Sequence, residues 1–165
     1  MILITGGSAQ GKRAFAQRLV KERGGGPVVW SQGEAALWED YMAGRYCCGF
    51  HLFVRRVLEG RVSPAGQPGE ERGRLAPAGQ PGEERGRLAP AGQEGAVKRL
   101  DALMDALLSG PPDRVLVTDE IGCGIVPADE FERMYREETG RLCCLAAKEA
   151  DEVWRVCCGL GMRIK

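Results

Sequence analysis

The segment Gly6–Lys12 constrains the fold of this chain more than any other part of its sequence. It follows the apolar run Ile2–Ile4 and precedes Ala14–Val20, whose apolar residues recur at helical spacing, so it joins a predicted buried strand to a predicted helix. A phosphate-binding loop has this order: a strand, the motif Gly-x-x-x-x-Gly-Lys and a helix. Its backbone N–H groups and the N-terminus of its helix face phosphate oxygens. The sequence therefore predicts a site for a nucleotide's phosphates.

The residues of this loop are the predicted nucleotide-binding residues. Lys12 would reach the outer phosphates. Arg13 stands where the motif normally has Ser or Thr, whose hydroxyl binds magnesium, so the metal half of the motif is incomplete. A plain strand-to-helix turn is the alternative interpretation. The predicted binding residues are Gly6, Gly7, Ser8, Ala9, Gln10, Gly11, Lys12 and Arg13.

The charges of the chain balance, with 23 basic and 23 acidic residues. A chain without net charge has no global field that attracts nucleic acid or an anionic membrane surface, so a polyanionic partner is disfavoured. No apolar run reaches the roughly 18 residues of a membrane-spanning helix, and the amino end enters a strand without a charged leader. We therefore expect one cytoplasmic domain over residues 1–165.

Six of the seven cysteines form adjacent pairs, and their spacing lacks the C-x-x-C pattern of zinc sites. Neighbouring residues of a helix or strand point in different directions, so we expect small apolar core residues kept reduced in the cytosol. Metal ligation is the alternative. The pairs are Cys47–Cys48, Cys143–Cys144 and Cys157–Cys158, and Cys123 stands alone.

Two segments between the loop and the middle of the chain carry periodic apolar residues. Val28–Trp30 is a predicted second strand. From residue 35 to 59 the apolar residues fit a helical stripe that Gly44 and Gly49 interrupt, which predicts one long helix or two short ones.

A sequence repeat occupies residues 63–95. The unit that begins at Pro64 begins again at Pro77 and at Pro90. A unit rich in Pro and Gly with one Leu buries too little apolar surface to offset its ordering entropy. We expect a disordered surface insertion here, and a partner-binding arm is the alternative.

Helices and strands alternate again after the repeat. A helix is predicted over 96–108, a buried parallel strand over 114–118, a helix capped by Asp129, a further helix over 141–150, and a last strand over 153–158. This alternation predicts an α/β fold with a mainly parallel sheet and helices on both faces, as in P-loop nucleotide-binding proteins.

The strand at 114–118 delivers Asp119 and Glu120 to its carboxyl end, where ligands bind in open α/β sheets. Asp119 is the first candidate for holding Mg²⁺, with Ser8 or Thr5 as substitutes for the missing hydroxyl. Glu120 is a candidate general base on a substrate hydroxyl. A solvated loop start is the alternative interpretation of these two acids.

The last third of the chain resembles one family. The segments that carry the resemblance are Val117–Pro127, with its Glu-x-Gly-x-Gly-Ile-Val-Pro run, Gly140-Arg141, Ala150–Trp154 and Gly159–Lys165, together with the amino-terminal loop. They are similar to the bifunctional adenosylcobinamide kinase / adenosylcobinamide-phosphate guanylyltransferase of cobalamin synthesis.

The resemblance implies a P-loop α/β fold, often oligomeric, that binds GTP or ATP. It implies phosphorylation of the corrinoid adenosylcobinamide and then transfer of GMP from GTP to the resulting phosphate. Two alternatives stay open, namely an enzyme with kinase activity alone and a nucleotide-binding protein without catalysis. Cys143–Cys144 occupies a place where the family usually has Asn-Gln.

In that family GMP passes through a histidine in a segment that this chain does not reproduce. His51 is the only histidine of the chain, so a phosphohistidine intermediate would form there. A packed helix residue among Phe50, Leu52 and Phe53 is the competing interpretation. The arginines near the predicted site are candidates for stabilising developing charge or are a solvated helix face. They are Arg13, Arg45, Arg55 and Arg56.

Overall fold

The computed structural model describes residues 1–64 and 90–165, and within the second range it leaves out the side chains of 90–94, 96 and 97. The elements are β1 (Ile2–Thr5), α1 (Lys12–Glu22), β2 (Ser31–Gln32), α2 (Trp38–Ala43), β3 (Tyr46–Cys48), α3 (Phe50–Leu58), α4 (Pro90–Leu108), β4 (Val115–Val117), α5 (Glu130–Glu149), β5 (Glu152–Cys157) and β6 (Leu160–Arg163).

The strands form one six-stranded sheet in the order β2-β3-β4-β1-β5-β6. The first five are parallel, and β6 pairs antiparallel with β5. In the centre of the sheet Ile4 lies between Val117 of β4 and Trp154 of β5. The predicted α/β fold with a mainly parallel sheet is confirmed.

Alternating side chains of the strands pack into two separate cores, because successive residues of a strand point to opposite faces. Leu3 of β1 and Leu116 of β4 belong to the core that contains buried residues of α2, α3, α4 and α5. Ile4 and Val117 belong to the core under α1. Helices therefore cover both faces of the sheet, as predicted.

The first half of the chain contains two departures from the predicted elements. The second strand is Ser31–Gln32 rather than Val28–Trp30, because only these two residues pair with β3, while Trp30 packs beside the core under α1. The stretch predicted as helical contains strand β3 between its two helices. All three β3 residues are buried, and a short run buried on both faces lacks the period that separates strand from helix.

The second half of the chain contains two more departures from the predicted elements. The two helices predicted after Asp129 are one helix, α5, which continues through Gly140 because Thr139 and Leu142 stay buried on either side of it. The predicted last strand is followed by β6. Cys158 and Gly159 form the connection, and both have positive φ, as a two-residue hairpin turn requires.

The prediction of a disordered insertion over 63–95 falls mostly on residues outside the described part of the chain. The described part of the chain resumes at Pro90, where α4 begins. The helix therefore begins before its predicted start at residue 96, within the third copy of the repeat.

The cysteines are unpaired thiols, and only some of them are core residues. Cys47 and Cys48 are buried on β3, and Cys143 is half-buried on α5. The prediction of core residues is wrong for the other four, because three lie in a loop or a turn or at a strand end and one lies on an open helix face. These are Cys123, Cys144, Cys157 and Cys158.

Candidate functional site

The loop Gly6–Lys12 between β1 and α1 is the predicted phosphate-binding loop. Gly6 adopts a φ of 149°, and a Cβ at this position would collide with the carbonyl oxygen of Val156. Gly11 precedes α1 in the left-handed conformation and no side chain caps the helix. The N–H groups at the start of α1 are therefore directed at the loop without a side-chain acceptor, which is the arrangement that binds anions.

The turn between β5 and β6 holds this loop from outside. Both the backbone oxygen and the side-chain oxygen of Gln10 accept hydrogen bonds from this turn, from the N–H of Gly159 at 2.9 Å and from the N–H of Cys158 at 2.8 Å. Arg18 of α1 donates to the carbonyl oxygen of Gly159 at 2.7 Å. The loop is thus fixed at Gln10, while Ser8 and Ala9 stay exposed.

Lys12 points from the first turn of α1 towards the end of β4. Its Nζ donates to the carbonyl oxygen of Gly7 at 2.5 Å and pairs with Oδ1 of Asp119 at 2.7 Å. Only 6% of the Lys12 side chain and 24% of the Asp119 side chain are exposed. A phosphate bound in the loop would compete with Asp119 for this ammonium group.

His51 lies in the first turn of α3 and reaches the same acid. Its Nδ1 accepts a hydrogen bond from the backbone N–H of Asp119 at 3.2 Å, and its Nε2 lies 3.9 Å from Oδ2 of Asp119. An acceptor at Nδ1 places the proton of a neutral imidazole on Nε2, on the side of the carboxylate. Asp119 therefore contacts the lysine of the loop and the single histidine at once.

Burial lowers the pKa of His51 below its usual 6.5, and the charge of Lys12 lowers it further. The carboxylates of Asp119 and Glu34 act in the opposite direction. Because the net direction is downward, the imidazole is neutral at pH 7, with its proton on Nε2 and its lone pair on Nδ1. A neutral imidazole is the form that attacks phosphorus.

Glu120 turns away from this cluster. Both of its carboxylate oxygens accept hydrogen bonds from Arg155 of β5, each at 2.9 Å, and its backbone N–H donates to the carbonyl oxygen of Gly6 at 3.0 Å. Glu120 would have to leave Arg155 before it took a proton from a substrate. Sequence reasoning missed Arg155, because a single arginine within a strand carries no signal of its partner.

The four candidate arginines lie in different surroundings. Arg13 stacks over Trp30 with its guanidinium 5.6 Å from the ring centroid. Arg45 pairs with Asp113 at the surface. Arg55 pairs with Glu59 and Glu132, and Arg56 donates to the carbonyl oxygens of Gly33 and Ala36. Each of the four therefore has a partner of its own away from the Lys12–Asp119 ion pair.

The oxygen donors near the loop fit a magnesium ion that also binds phosphate. Mg²⁺ is usually held by one or two carboxylates together with substrate phosphates and water. Asp119 offers Oδ2, since Oδ1 pairs with Lys12, and Thr5 and Ser8 lie on the strand and loop beside it. Within residues 1–64 and 90–165 no group of three or more His, Cys, Asp and Glu side chains is arranged to bind a metal alone. A metal here would depend on the nucleotide for the rest of its ligands.

The helices of the described ranges include none that is both long enough and apolar enough to cross a membrane.

The carboxyl half of the chain matches a family model. Residues 81–164 match the model described as cobinamide kinase / cobinamide phosphate guanyltransferase. Over 66 residues the chain is 42% identical to the bifunctional adenosylcobalamin biosynthesis protein CobU of Salmonella typhimurium and 41% identical to the protein of the same name from Escherichia coli. Each of these matches covers 40% of this chain and 36% of the relative's length.

The family model includes β4 with Asp119 and Glu120, the Gly-x-Gly-Ile-Val-Pro run, α5 and the β5–β6 hairpin, and it excludes the phosphate-binding loop and His51. The fold places the loop against residues of the matched part, through the Asp119 ion pair and the Gln10 contacts. The family resemblance stated from the sequence is confirmed. Because its model matches about half of the chain, this chain belongs to the cobinamide kinase / cobinamide phosphate guanyltransferase family.

Proposed function

We propose that the chain uses a bound nucleotide to phosphorylate adenosylcobinamide, and that it transfers GMP from GTP to adenosylcobinamide phosphate. The supporting observation is that the lysine of the phosphate-binding loop and the single histidine both contact Asp119, at 2.7 Å and 3.2 Å. One acid thus stands between a group that binds phosphates and a group that can attack phosphorus. GTP or ATP is the phosphate donor in this proposal, with Mg²⁺ as its counter-ion.

Phosphoryl transfer asks the protein mainly to position the phosphates and to neutralise their charge. The uncapped N-terminus of α1 and the loop amides bind the phosphate oxygens, and Lys12 moves from Asp119 to the outer phosphates. Asp119 is then free to hold Mg²⁺, which stabilises the charge on the transferred group when bound. Glu120 takes the proton of the substrate hydroxyl after it separates from Arg155.

Guanylyl transfer is proposed to proceed through His51. Nδ1 releases the backbone N–H of Asp119 and its lone pair forms a bond with the α-phosphorus of GTP, the bond to the β-phosphate oxygen breaks, and its electron pair leaves with pyrophosphate. The Nε2 proton passes to Oδ2 of Asp119, which lies 3.9 Å away. A phosphate oxygen of the corrinoid then attacks the same phosphorus, and the imidazole leaves and recovers its proton.

Labelled GTP tests the histidine directly. Incubation with α-labelled GTP should leave acid-labile, base-stable label on the wild-type chain, because a phosphorus–nitrogen bond hydrolyses in acid. His51→Ala and His51→Asn should carry none. The asparagine variant is the matched control for local structure, since its side-chain oxygen can still accept the backbone N–H of Asp119. Label that survives in either variant would remove His51 from the mechanism.

A second candidate function, nucleotide binding without catalysis or with kinase activity alone, is favoured by Arg13. This residue stacks over Trp30 and offers no hydroxyl where the motif usually supplies one to magnesium. Nucleotide binding that is indifferent to Mg²⁺, together with no product from adenosylcobinamide, would support the non-catalytic protein. Formation of adenosylcobinamide phosphate without later GMP transfer would support the kinase alone.

A further inference from the structure

The three adjacent cysteine pairs of the chain have the same sequence and three different geometries. Cys47 and Cys48 are buried on β3, where they belong to the cores on opposite faces of the sheet. Cys143 is half-buried on α5 while Cys144 is exposed. Cys157 and Cys158 are both exposed, and their Sγ atoms lie 3.9 Å apart. Only the last pair offers solvent two thiols side by side.

The backbone explains why this pair behaves differently. Cys157 ends β5, and Cys158 begins the hairpin turn with a φ of 49°. Positive φ turns the Cys158 side chain back beside Cys157, whereas a continued strand would direct it to the opposite face. Hairpin turns of this kind favour Asn or Gly at that position, so cysteine here departs from the usual turn chemistry. An unusual residue in an unusual conformation is a reason to look for a role.

We propose that Cys157 and Cys158 form a two-thiol modification site for trivalent arsenicals. One arsenic atom bridges the two sulfurs: two As–S bonds form, the As=O unit of the reagent is lost, and its oxygen leaves as water with the two thiol protons. Arsenic stays trivalent, so no oxidant is needed. A sulfur separation of 3.9 Å suits one bridging atom, whereas a direct disulfide would have to contract it to about 2.05 Å.

The site is joined to the phosphate-binding loop by hydrogen bonds. The N–H of Cys158 donates to the side-chain oxygen of Gln10, and the N–H of the next residue, Gly159, donates to the backbone oxygen of Gln10. Closing a ring through arsenic restrains Cys158, and the organic group of the reagent lies beside the loop. We therefore expect a bridged chain to bind nucleotide more weakly, and this second part rests on the proposed function.

The bridge is tested with phenylarsine oxide on the reduced full-length chain. Intact mass should show one phenylarsenic group per chain that resists excess monothiol and is removed by 2,3-dimercaptopropanol. Cys157→Ser and Cys158→Asn should lose the monothiol-resistant adduct, and asparagine suits the turn, so that variant keeps the fold. Cys123→Ser and Cys144→Ser each remove an exposed thiol elsewhere and should keep the adduct.

Retention of the resistant adduct in Cys157→Ser or Cys158→Asn would overturn the assignment, as would its loss in both control variants. Titration of fluorescent GTP should then show binding weakened about three- to tenfold in the bridged chain, the loss expected for one hydrogen bond. Unchanged binding in a chain that carries the adduct would refute the connection to the loop. Failure of the unmodified chain to bind GTP would contradict the proposed function while the mass result still decided the site.

Discussion

Two buried cations lie at opposite ends of β4 and are held in opposite ways. At the carboxyl end Lys12 pairs with Asp119, whose side chain is 24% exposed. At the amino end Arg114 is fully buried and donates to the backbone carbonyl oxygens of Met42, Gly44 and Leu107. These carbonyls lie at the carboxyl ends of α2 and α4, where the helix dipole favours a cation.

The two cations differ in whether a bound ligand could replace their partners. Lys12 has one charged partner that a phosphate can replace, so its ion pair can be exchanged when ligand binds. Arg114 has backbone partners that cannot leave without unwinding helix ends, and burial lowers its pKa. We expect loss of the first charge to affect turnover and loss of the second to affect stability.

Arg114→Met should have the largest effect. It removes the guanidinium donor from one buried and two partly buried carbonyl oxygens, so we expect the free energy of unfolding to fall by about 3–5 kcal/mol. Urea unfolding followed by circular dichroism measures this. Arg45→Met is the matched control, since Arg45 is an exposed arginine whose surface ion pair contributes less than about 1 kcal/mol. Equal losses in the two variants would contradict the structural role of Arg114.

Lys12→Met should lower turnover strongly and stability only slightly. Removal of one positioned donor to a phosphoryl group typically lowers turnover about 10²- to 10³-fold, and the loss of stability should be smaller than in Arg114→Met. The measurement is the initial rate of product formation from GTP and adenosylcobinamide. Lys21→Met, an exposed lysine in the last turn of α1, should keep the wild-type rate. A normal rate in Lys12→Met would remove this residue from the mechanism.

The change of His51 labelling with pH should be smaller than the loss of rate in Lys12→Met, and it reports on the protonation of His51. Because burial lowers the pKa of His51 below 6.5, the neutral imidazole persists as pH falls through 6.5. We expect the labelling rate to fall with a midpoint below pH 6.5, and by about tenfold per pH unit once the pH is well below the lowered pKa. Asp119→Asn removes the charge that opposes this shift, so an NMR titration of the His51 imidazole should show a still lower pKa in this variant. A fall already centred above 6.5 would contradict the lowered pKa.

The same shift has a consequence for stability. The unfolded chain takes up the histidine proton near pH 6.5, before the folded chain does. The contribution of His51 to folding is therefore full above 6.5 and is lost as pH falls from 6.5 to the lowered folded pKa. His51→Asn should abolish this part of the pH dependence of unfolding.

Asp129→Ala should have the smallest effect on stability. It compares the start of α5, which has a side-chain cap, with the start of α1, which has none. Asp129 accepts the N–H of Glu132 at 2.9 Å and caps α5, whereas α1 begins without a side-chain cap. Loss of the cap should cost about 1 kcal/mol of stability and leave GTP binding unchanged. Thermal unfolding and a GTP titration measure the two effects. Weaker GTP binding in this variant would mean that the end of α5 contributes to the site.

The parts of the fold that could be predicted from sequence are those whose signal is local. Local residue types alone predict the loop Gly6–Lys12, the strand β4 and the helix cap at Asp129. Strand β3 could not be predicted, because its three residues are buried on both faces and have neither length nor alternation. The turn to β6 was missed because cysteine is an unusual residue at positive φ.

For the candidate site, sequence reasoning named residues but not their partners. It singled out Lys12, Asp119 and His51 separately, and the contacts among them depend on the parallel order of β3, β4 and β1. It gave Glu120 the role of a base without the arginine that holds it, since Arg155 lies on a different strand. Long-range pairing of this kind is a property of topology, which a single sequence does not display.

Asp119 contacts two neighbours: its carboxylate pairs with Lys12 and lies 3.9 Å from Nε2 of His51, and its main-chain N–H donates to Nδ1 of His51. Substituting its side chain releases the lysine and leaves the imidazole tethered, while a deletion or an insertion between β4 and residue 119 would displace both together. The length of this short connection therefore sets the positions of Lys12 and His51 together, and substitutions that move only one of them have to be made in α1 or α3.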